Sequence, residues 1–403
     1  MSDNSTMNQN QPTYRSHHNL HDLHLPQLLQ QWKPTWAKEL WLIDVGCSGG
    51  IHPSWQVFEE KLHAVGVDPL VSEVNRLNAE NKLPGVTYID AFVATPEYSM
   101  QQSPLQCHLF SSTSATSAME LMKLNYTKEI FNTGGELVFS SNKVTVDEVA
   151  AKHHISDCDV LKIDTDGHDY PVLQSAGKLL QDNHTICVDI EVQLHGEPGS
   201  ETTTYSNIDN YLRERGFSLF MFEVFRYSRA ELPMPFHFDI PAQTTSGQVM
   251  WAEGVYFRDL TIPNYETKFN FTITEEKVLK LACLYELYEL RDCAANLLIK
   301  FADRFSYKAI LPQLLDALTP EWLGEKQTYD QWMARFRSNP KSFYPEAIKE
   351  AMKRDNIPQS SDEGKHLERI RQLEEELASL RRSNSWKVTA PLRKISQLLG
   401  RKQ

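Results

Sequence analysis

The sequence predicts a Rossmann-like α/β fold, a mostly parallel sheet with helices on both faces, followed by a mainly helical C-terminal region. Three observations predict it. Short apolar strands alternate with helix-compatible segments from Trp41 onward. Each strand of that series ends in an acid or a glycine turn, which is where open α/β sheets meet their ligands. Beyond Pro263 the texture changes to apolar residues at helical spacing.

The first strand is Trp41-Leu42-Ile43-Asp44-Val45, broken by Gly46-Cys47-Ser48-Gly49-Gly50. Pro53 to Leu62 suits a helix with proline in its first turn. Ala64 to Val67 is a second strand reaching Asp68, with a helix expected over 71–81. Val86 to Ile89 is a third, ending at Asp90. The Ser/Thr/Gln-rich stretch from Thr95 to Met119 interrupts the pattern, with one short strand at Gln106 to Phe110. Ser111 to Ser117 supplies no core and reads either as a functional loop or as a flexible insertion.

Val138 to Ser140 is expected as a strand and Val146 to Ala151 as a short helix. Val160 to Asp164 is a strand, Thr165 to Asp169 its turn, and Pro171 opens a helix to Leu180. Thr185 to Val192 is the next strand, and Ile208 to Arg215 a helix closed by Gly216. Phe217 to Val224 and Gly254 to Phe257 are two last strands joined by a long loop. Glu275 to Phe305 carries Val278, Leu281, Leu284 and Leu287 at helical spacing. Ile370, Leu373, Leu377 and Leu380 have the a and d spacing of a short coiled-coil-like helix. The expected organisation is a disordered polar leader over 1–33, an α/β domain over 34–262, a helical region over 263–354, and a linker, short helix and basic amphipathic tail over 355–403.

Composition narrows the function. The 403 residues carry a formal charge of −12, which argues against a general nucleic-acid binder, because phosphates call for a positive field. Six dispersed cysteines without a CxxC pair read as reduced thiols of a cytoplasmic protein. No stretch approaches the ~20 apolar residues that span a bilayer. His17, His18, His21 and His24 form a loose cluster in a polar leader and read as solvated; no metal is expected.

The strand ends carry the chemistry. Gly46, Gly49 and Gly50 let the backbone approach a ligand closely. The helix start behind them offers N–H groups to a carboxylate. Asp68 is placed to take ribose hydroxyls through its two oxygens. Asp44 either meets the ligand or ties down the glycine turn, and Asp90 is either an adenine contact or a turn residue.

Asp44-Val45-Gly46-Cys47-Ser48-Gly49 resembles the cofactor-binding motif of the FkbM-type methyltransferases. Leu161-Lys162-Ile163-Asp164-Thr165-Asp166-Gly167-His168-Asp169, continuing to Val172-Leu173 and Ala176, is similar to that family's second signature. Asp166 stands where the family commonly has glutamate, and His168 and Asp169 depart from the commoner wording. The resemblance covers about Trp41 to Leu260, and a terminal strand pair joined without a helix is the sheet ending it leads one to expect.

The resemblance implies S-adenosyl-L-methionine as cofactor, held by Asp44, Gly46, Cys47, Ser48, Gly49, Asp68 and Asp90, and methyl transfer to a hydroxyl oxygen. Positioning alone supplies ~7–11 kcal/mol of such a barrier, and a base typically adds ~10²–10⁴-fold. His168 is the first candidate base, followed by Asp166 and Asp164; Glu191, His195, Ser112 and Ser114 are the expected substrate rim. The segment Arg381 to Arg393 resembles a tail that recurs in bacterial surface-polysaccharide assembly proteins. A glycan acceptor, polysaccharide-assembly partners and peripheral contact with an anionic membrane surface follow as expectations. The rival readings are an NAD-dependent oxidoreductase on the same fold, although the full GxGxxG spacing is missing, and a catalytically silent scaffold.

Overall fold

The computed structural model describes residues 23–95, the backbone of 105–108 and 137–140, and residues 142–165, 167–181, 185–195, 199, 202–228, 232, 234–235 and 243–354. The leader before Leu23, Ser112, Ser114, Asp166, the coiled-coil-like helix and the basic tail lie outside them.

The strands are β1 (Leu40–Val45), β2 (Leu62–Asp68), β3 (Val86–Asp90), β4 (Phe92–Val93), β5 (Leu105–His108), β6 (Leu137–Ser140), β7 (Lys143–Val144), β8 (Val160–Ile163), β9 (Cys187–Gln193), β10 (Phe217–Tyr227), β11 (Gln243–Thr244) and β12 (Gln248–Arg258). The helices are α1 (Leu25–Trp32), α2 (Val71–Glu80), α3 (Val146–Lys152), α4 (Asp169–Gln174), α5 (Gly177–Gln181), α6 (Tyr205–Glu214), α7 (Tyr265–Phe269), α8 (Glu275–Leu287), α9 (Arg291–Phe301), α10 (Leu311–Leu318), α11 (Tyr329–Ser338) and α12 (Pro345–Arg354).

Eight strands form one sheet in the order β11-β10-β12-β9-β8-β1-β2-β3. From β3 to β9 all neighbours are parallel. β12 runs antiparallel between β9 and β10. This is the Rossmann-like methyltransferase arrangement, with the last strand inserted beside the fifth parallel one.

Alternation along the strands splits the core in two. Ile43, Val65, Leu161 and Val188 pack with Val149 of α3, Leu173 of α4 and Leu212 of α6. Leu42, Ala64, Val160 and Phe257 pack on the opposite face with Leu29 of α1, Leu284 of α8 and Leu298 of α9. Residues 263–318, expected to open a separate helical region, thus cover this sheet, and the compact units divide between Leu318 and Thr319. In the second unit Trp322, Trp332 and Phe343 form an aromatic cluster.

A buried ion cluster fastens α8 to the sheet. Asp159, fully buried just before β8, accepts from Lys277 Nζ at 2.7 Å, Lys280 Nζ at 2.9 Å and the Trp41 amide at 3.0 Å. The open edge of β3 is closed by α2: Asn78 exchanges hydrogen bonds with the Tyr88 backbone, and Asn81 donates to the Val86 carbonyl. Such covering is one way proteins protect a sheet edge.

Two local expectations change. Pro53–Lys61 is 3₁₀ helix rather than α-helix, and Glu59 (φ 49°, ψ −127°) breaks it before β2. Burying Trp55 and Phe58, three residues apart, suits the tighter winding. The helix expected from Pro171 to Leu180 begins two residues earlier and divides into α4 and α5.

Candidate functional site

The two motifs meet at the carboxyl ends of the central strands. Gly46 has φ +84°, and a Cβ there would fall 1.8 Å from the Asp164 carbonyl oxygen. The Asp164 amide donates to Val45 O at 2.9 Å. The glycine turn after β1 and the turn after β8 are therefore one interlocked floor. Gly49 also has positive φ, and its missing Cβ would meet nothing within 4 Å. A ligand can approach the backbone there.

The amides expected to receive a carboxylate are engaged inside the protein. Gly46 and Cys47 donate to Val67 O, and Gly50 donates to Cys47 O. Gly49 donates to Glu73 Oε1 and Ile51 to the Tyr88 hydroxyl oxygen. His52 Nδ1 accepts from the Ser54 amide at the helix start. These amides are thus paired mainly with neighbouring elements, and the carboxylates around the turn are the candidate recognition groups.

Asp68 ends β2, buried, with Oδ1 accepting the Leu70 amide at 2.8 Å. Burial raises its pKa above the ordinary carboxylate value. The local turn uses Oδ1. Asp90 pairs in register with Asp68 and is exposed. The Cys47 side chain is buried, and burial pushes its thiol far up. It packs where Gly66 leaves room: a Cβ at 66 would meet Cys47 Sγ at 2.8 Å and the Tyr88 ring at 2.6 Å.

Asp44 is 3% exposed, and Lys162 Nζ lies 3.3 Å from its Oδ1. The same ammonium is 3.4 Å from Asp164 Oδ2, whose side chain is 46% exposed. Sheet register sets Asp44 opposite Lys162 and Lys162 opposite Asp189, across three neighbouring strands. Asp189 is buried and accepts from the Tyr288 hydroxyl, just past α8, at 2.8 Å. Lys162, Asp189 and Tyr288 escaped the sequence reading. Lysine and aspartate in apolar strands were a signal, but their partners lie on other strands.

Asp169 braces the second turn. Its Oδ1 accepts from the Thr165 amide at 2.8 Å and hydroxyl at 2.9 Å, and its Oδ2 from the Gly167 amide at 2.9 Å. His168 is 9% exposed, with its ring 5.2 Å from that of Phe92. Burial lowers its pKa to about 4. The imidazole is therefore neutral at pH 7 and well below the range that suits a general base. Glu191 and His195 lie at the end of β9 and just after it, partly exposed, and burial lowers the His195 pKa.

Two concavities among the described residues lie elsewhere. One of about 420 Å³ is lined by Trp36 and Glu59, and one of about 380 Å³ by Gln181 and Arg215. Both adjoin the amino ends of strands, away from the acids described above.

Similarity to known proteins follows the same outline. A search of curated proteins found no match. Solved structures that resemble the chain include an S-adenosylmethionine-dependent methyltransferase from Anabaena variabilis, at 12% identity, 59% of this chain, 84% of that one and a TM-score of 0.26. Another is magnesium protoporphyrin IX methyltransferase from Synechocystis with bound S-adenosylhomocysteine, at 9% identity, 59% and 83% coverage and a TM-score of 0.26. Likeness at that level carries no argument; the strand order and the motifs do. Residues 94–219, from just after β4 into β10, match the family model described as the methyltransferase FkbM domain.

Proposed function

We propose that this chain is an S-adenosylmethionine-dependent O-methyltransferase whose acceptor is a sugar hydroxyl of a glycan or glycosylated intermediate. The observation that carries the reading is the interlock of Gly46 with Asp164, which joins the glycine turn to the second signature in one floor. The FkbM domain match over 94–219 and the strand order support it.

The residues fit the donor by charge. Asp68 offers a carboxylate oxygen to ribose hydroxyls, Asp44 offers its carboxylate to an ammonium, and the bare backbone at Gly49 permits close approach. The donor supplies a methyl carbon already activated by its sulfonium charge. What remains for the chain is to hold the acceptor in line and take its proton. Asp164 suits the second task better than His168, because its carboxylate reaches solvent while the imidazole is walled in. His168 then shapes the pocket, and Glu191 and His195 form its rim.

Incubation with labelled S-adenosylmethionine and an extract of lipid-linked and free glycans tests the reading. Label is expected in sugar methoxyl groups, and S-adenosylhomocysteine but not NAD is expected to raise the melting temperature. Stabilisation by NAD alone would replace the reading with the oxidoreductase one.

The setting we propose is the inner face of a membrane, with polysaccharide-assembly proteins as partners. No helix among the described residues is long and apolar enough to cross a bilayer. Arg381, Arg382, Lys387, Arg393, Lys394, Arg401 and Lys402 interleave with Trp386, Leu392 and Leu398. Each basic residue near an anionic surface contributes ~1 kcal/mol. Co-sedimentation with phosphatidylserine vesicles, lost in a version ending at Ser361, is the expected result.

A further inference from the structure

We infer that Lys162 is a positioning residue for the donor: it keeps the buried Asp44 carboxylate ionised so that Asp44 can receive the donor's ammonium. The inference rests on the methyl-transfer reading and adds a residue that touches neither donor nor acceptor.

The geometry is specific. Register places Asp44, Lys162 and Asp189 side by side on β1, β8 and β9. Lys162 Nζ lies 3.3 Å from Asp44 and 3.4 Å from Asp164, with its side chain 18% exposed. Two carboxylates thus share one ammonium, with Asp189 next to it in register. Asp189 is also satisfied by the Tyr288 hydroxyl, whereas Lys162 is the one cation within 4 Å of Asp44 among the described residues.

A buried carboxylate is costly to ionise. Burial is the largest influence on Asp44 and raises its pKa; Lys162 opposes it, while Asp164 and Asp189 add to it. The remaining groups nearby offer no replacement. The Cys47 thiol is held protonated by burial, Asp68 is another acid, and Tyr288 is occupied by Asp189. Without Lys162, the least costly response is for Asp44 to take up a proton. A neutral Asp44 loses its attraction for an ammonium.

The test compares donor binding and turnover of wild type, Lys162→Met, Lys162→Arg and Asp44→Asn from pH 6.5 to 9.5, with circular dichroism to show that each is folded. At pH 7 Lys162→Met should weaken donor binding at least about tenfold in a direct binding titration; turnover is read separately, because the same ammonium lies 3.4 Å from Asp164, the proposed base. The loss should shrink as pH rises and Asp44 ionises, whereas Asp44→Asn should show no such recovery. Lys162→Arg should restore most of the affinity. The double variant Lys162→Met with Asp44→Asn should bind no more weakly than Asp44→Asn alone, because the two act through one group.

A Lys162→Met loss that is equal at every pH, or that adds in full to Asp44→Asn, would overturn the inference. So would unchanged donor binding. Should Lys162→Met not fold, the Lys162→Arg and Asp44→Asn profiles decide: arginine as damaging as asparagine refutes the role. Failure of the wild type to bind S-adenosylmethionine or S-adenosylhomocysteine would instead remove the methyl-transfer reading, and this inference with it.

Discussion

Gly46 and Asp164, more than a hundred residues apart in sequence, are in such close contact that position 46 has no room for a side chain: its Cβ would fall 1.8 Å from the Asp164 carbonyl oxygen. The contact couples the glycine turn after β1 to the turn after β8.

Replacing Gly46 with alanine should therefore destabilise the protein by more than the ~1–3 kcal/mol of left-handed strain alone. Gly49→Ala has similar φ but an open surrounding, so it should cost only ~1–2 kcal/mol. Urea unfolding of the two variants measures the difference. Equal losses would mean that the interlock has no energetic content.

Asp68→Ala should weaken S-adenosylhomocysteine binding by ~10–100-fold, the loss expected for one or two charge-assisted hydrogen bonds of ~1.5–3 kcal/mol. Asp68→Asn keeps an oxygen for the Leu70 amide and should fold like wild type while still binding weakly. Titration calorimetry checks both; wild-type affinity in either variant would take Asp68 out of the site.

His168 gives a pH dependence of stability. Its folded pKa of about 4 lies below the ordinary 6.5, so the unfolded chain binds the extra proton between these values. The neutral folded imidazole thus contributes stability that is fully present above pH 6.5 and lost as pH falls towards 4. The span corresponds to ~3 kcal/mol. His168→Leu should flatten that part of the profile relative to wild type in denaturant titrations at pH 7 and 4.5. Parallel profiles would refute the burial argument.

Asp159→Ala should cost less than the ~3–5 kcal/mol of a fully stranded buried charge, because Lys277 and Lys280 lose their shared buried partner but keep the more exposed Asp157 and Glu276. Replacing all three with apolar residues of similar volume should be far milder. Thermal and urea unfolding would show a reversed order if packing alone held α8 to the sheet.

Much of the α/β pattern was legible because strands and turns are local. Strands such as Leu42 to Val45 and Val160 to Ile163 are apolar but for Asp44 and Lys162 and can bury on both faces, and glycines at 46 and 49 announce positive φ. The length of β12 was not legible. Its first half runs from Gln248 through the apolar Val249 to Ala252 and on to Glu253, a stretch too short and patternless to read as strand until it pairs with β9 and β10. The 3₁₀ segment Pro53–Lys61 read as α-helix because composition does not reveal the break at Glu59.

By itself the sequence determined the alternation of strands and helices, the two turns and the acids that end β1, β2, β3 and β8, since each depends on residues a few positions apart. Tertiary structure alone decided that Asp44, Lys162 and Asp189 stand in one row with Tyr288 behind them. It also decided that His168 is walled in while Asp164 reaches out. The physical reason is that register and burial are properties of packed elements: a side chain's neighbours, and hence its charge, are set by strands and helices remote in sequence.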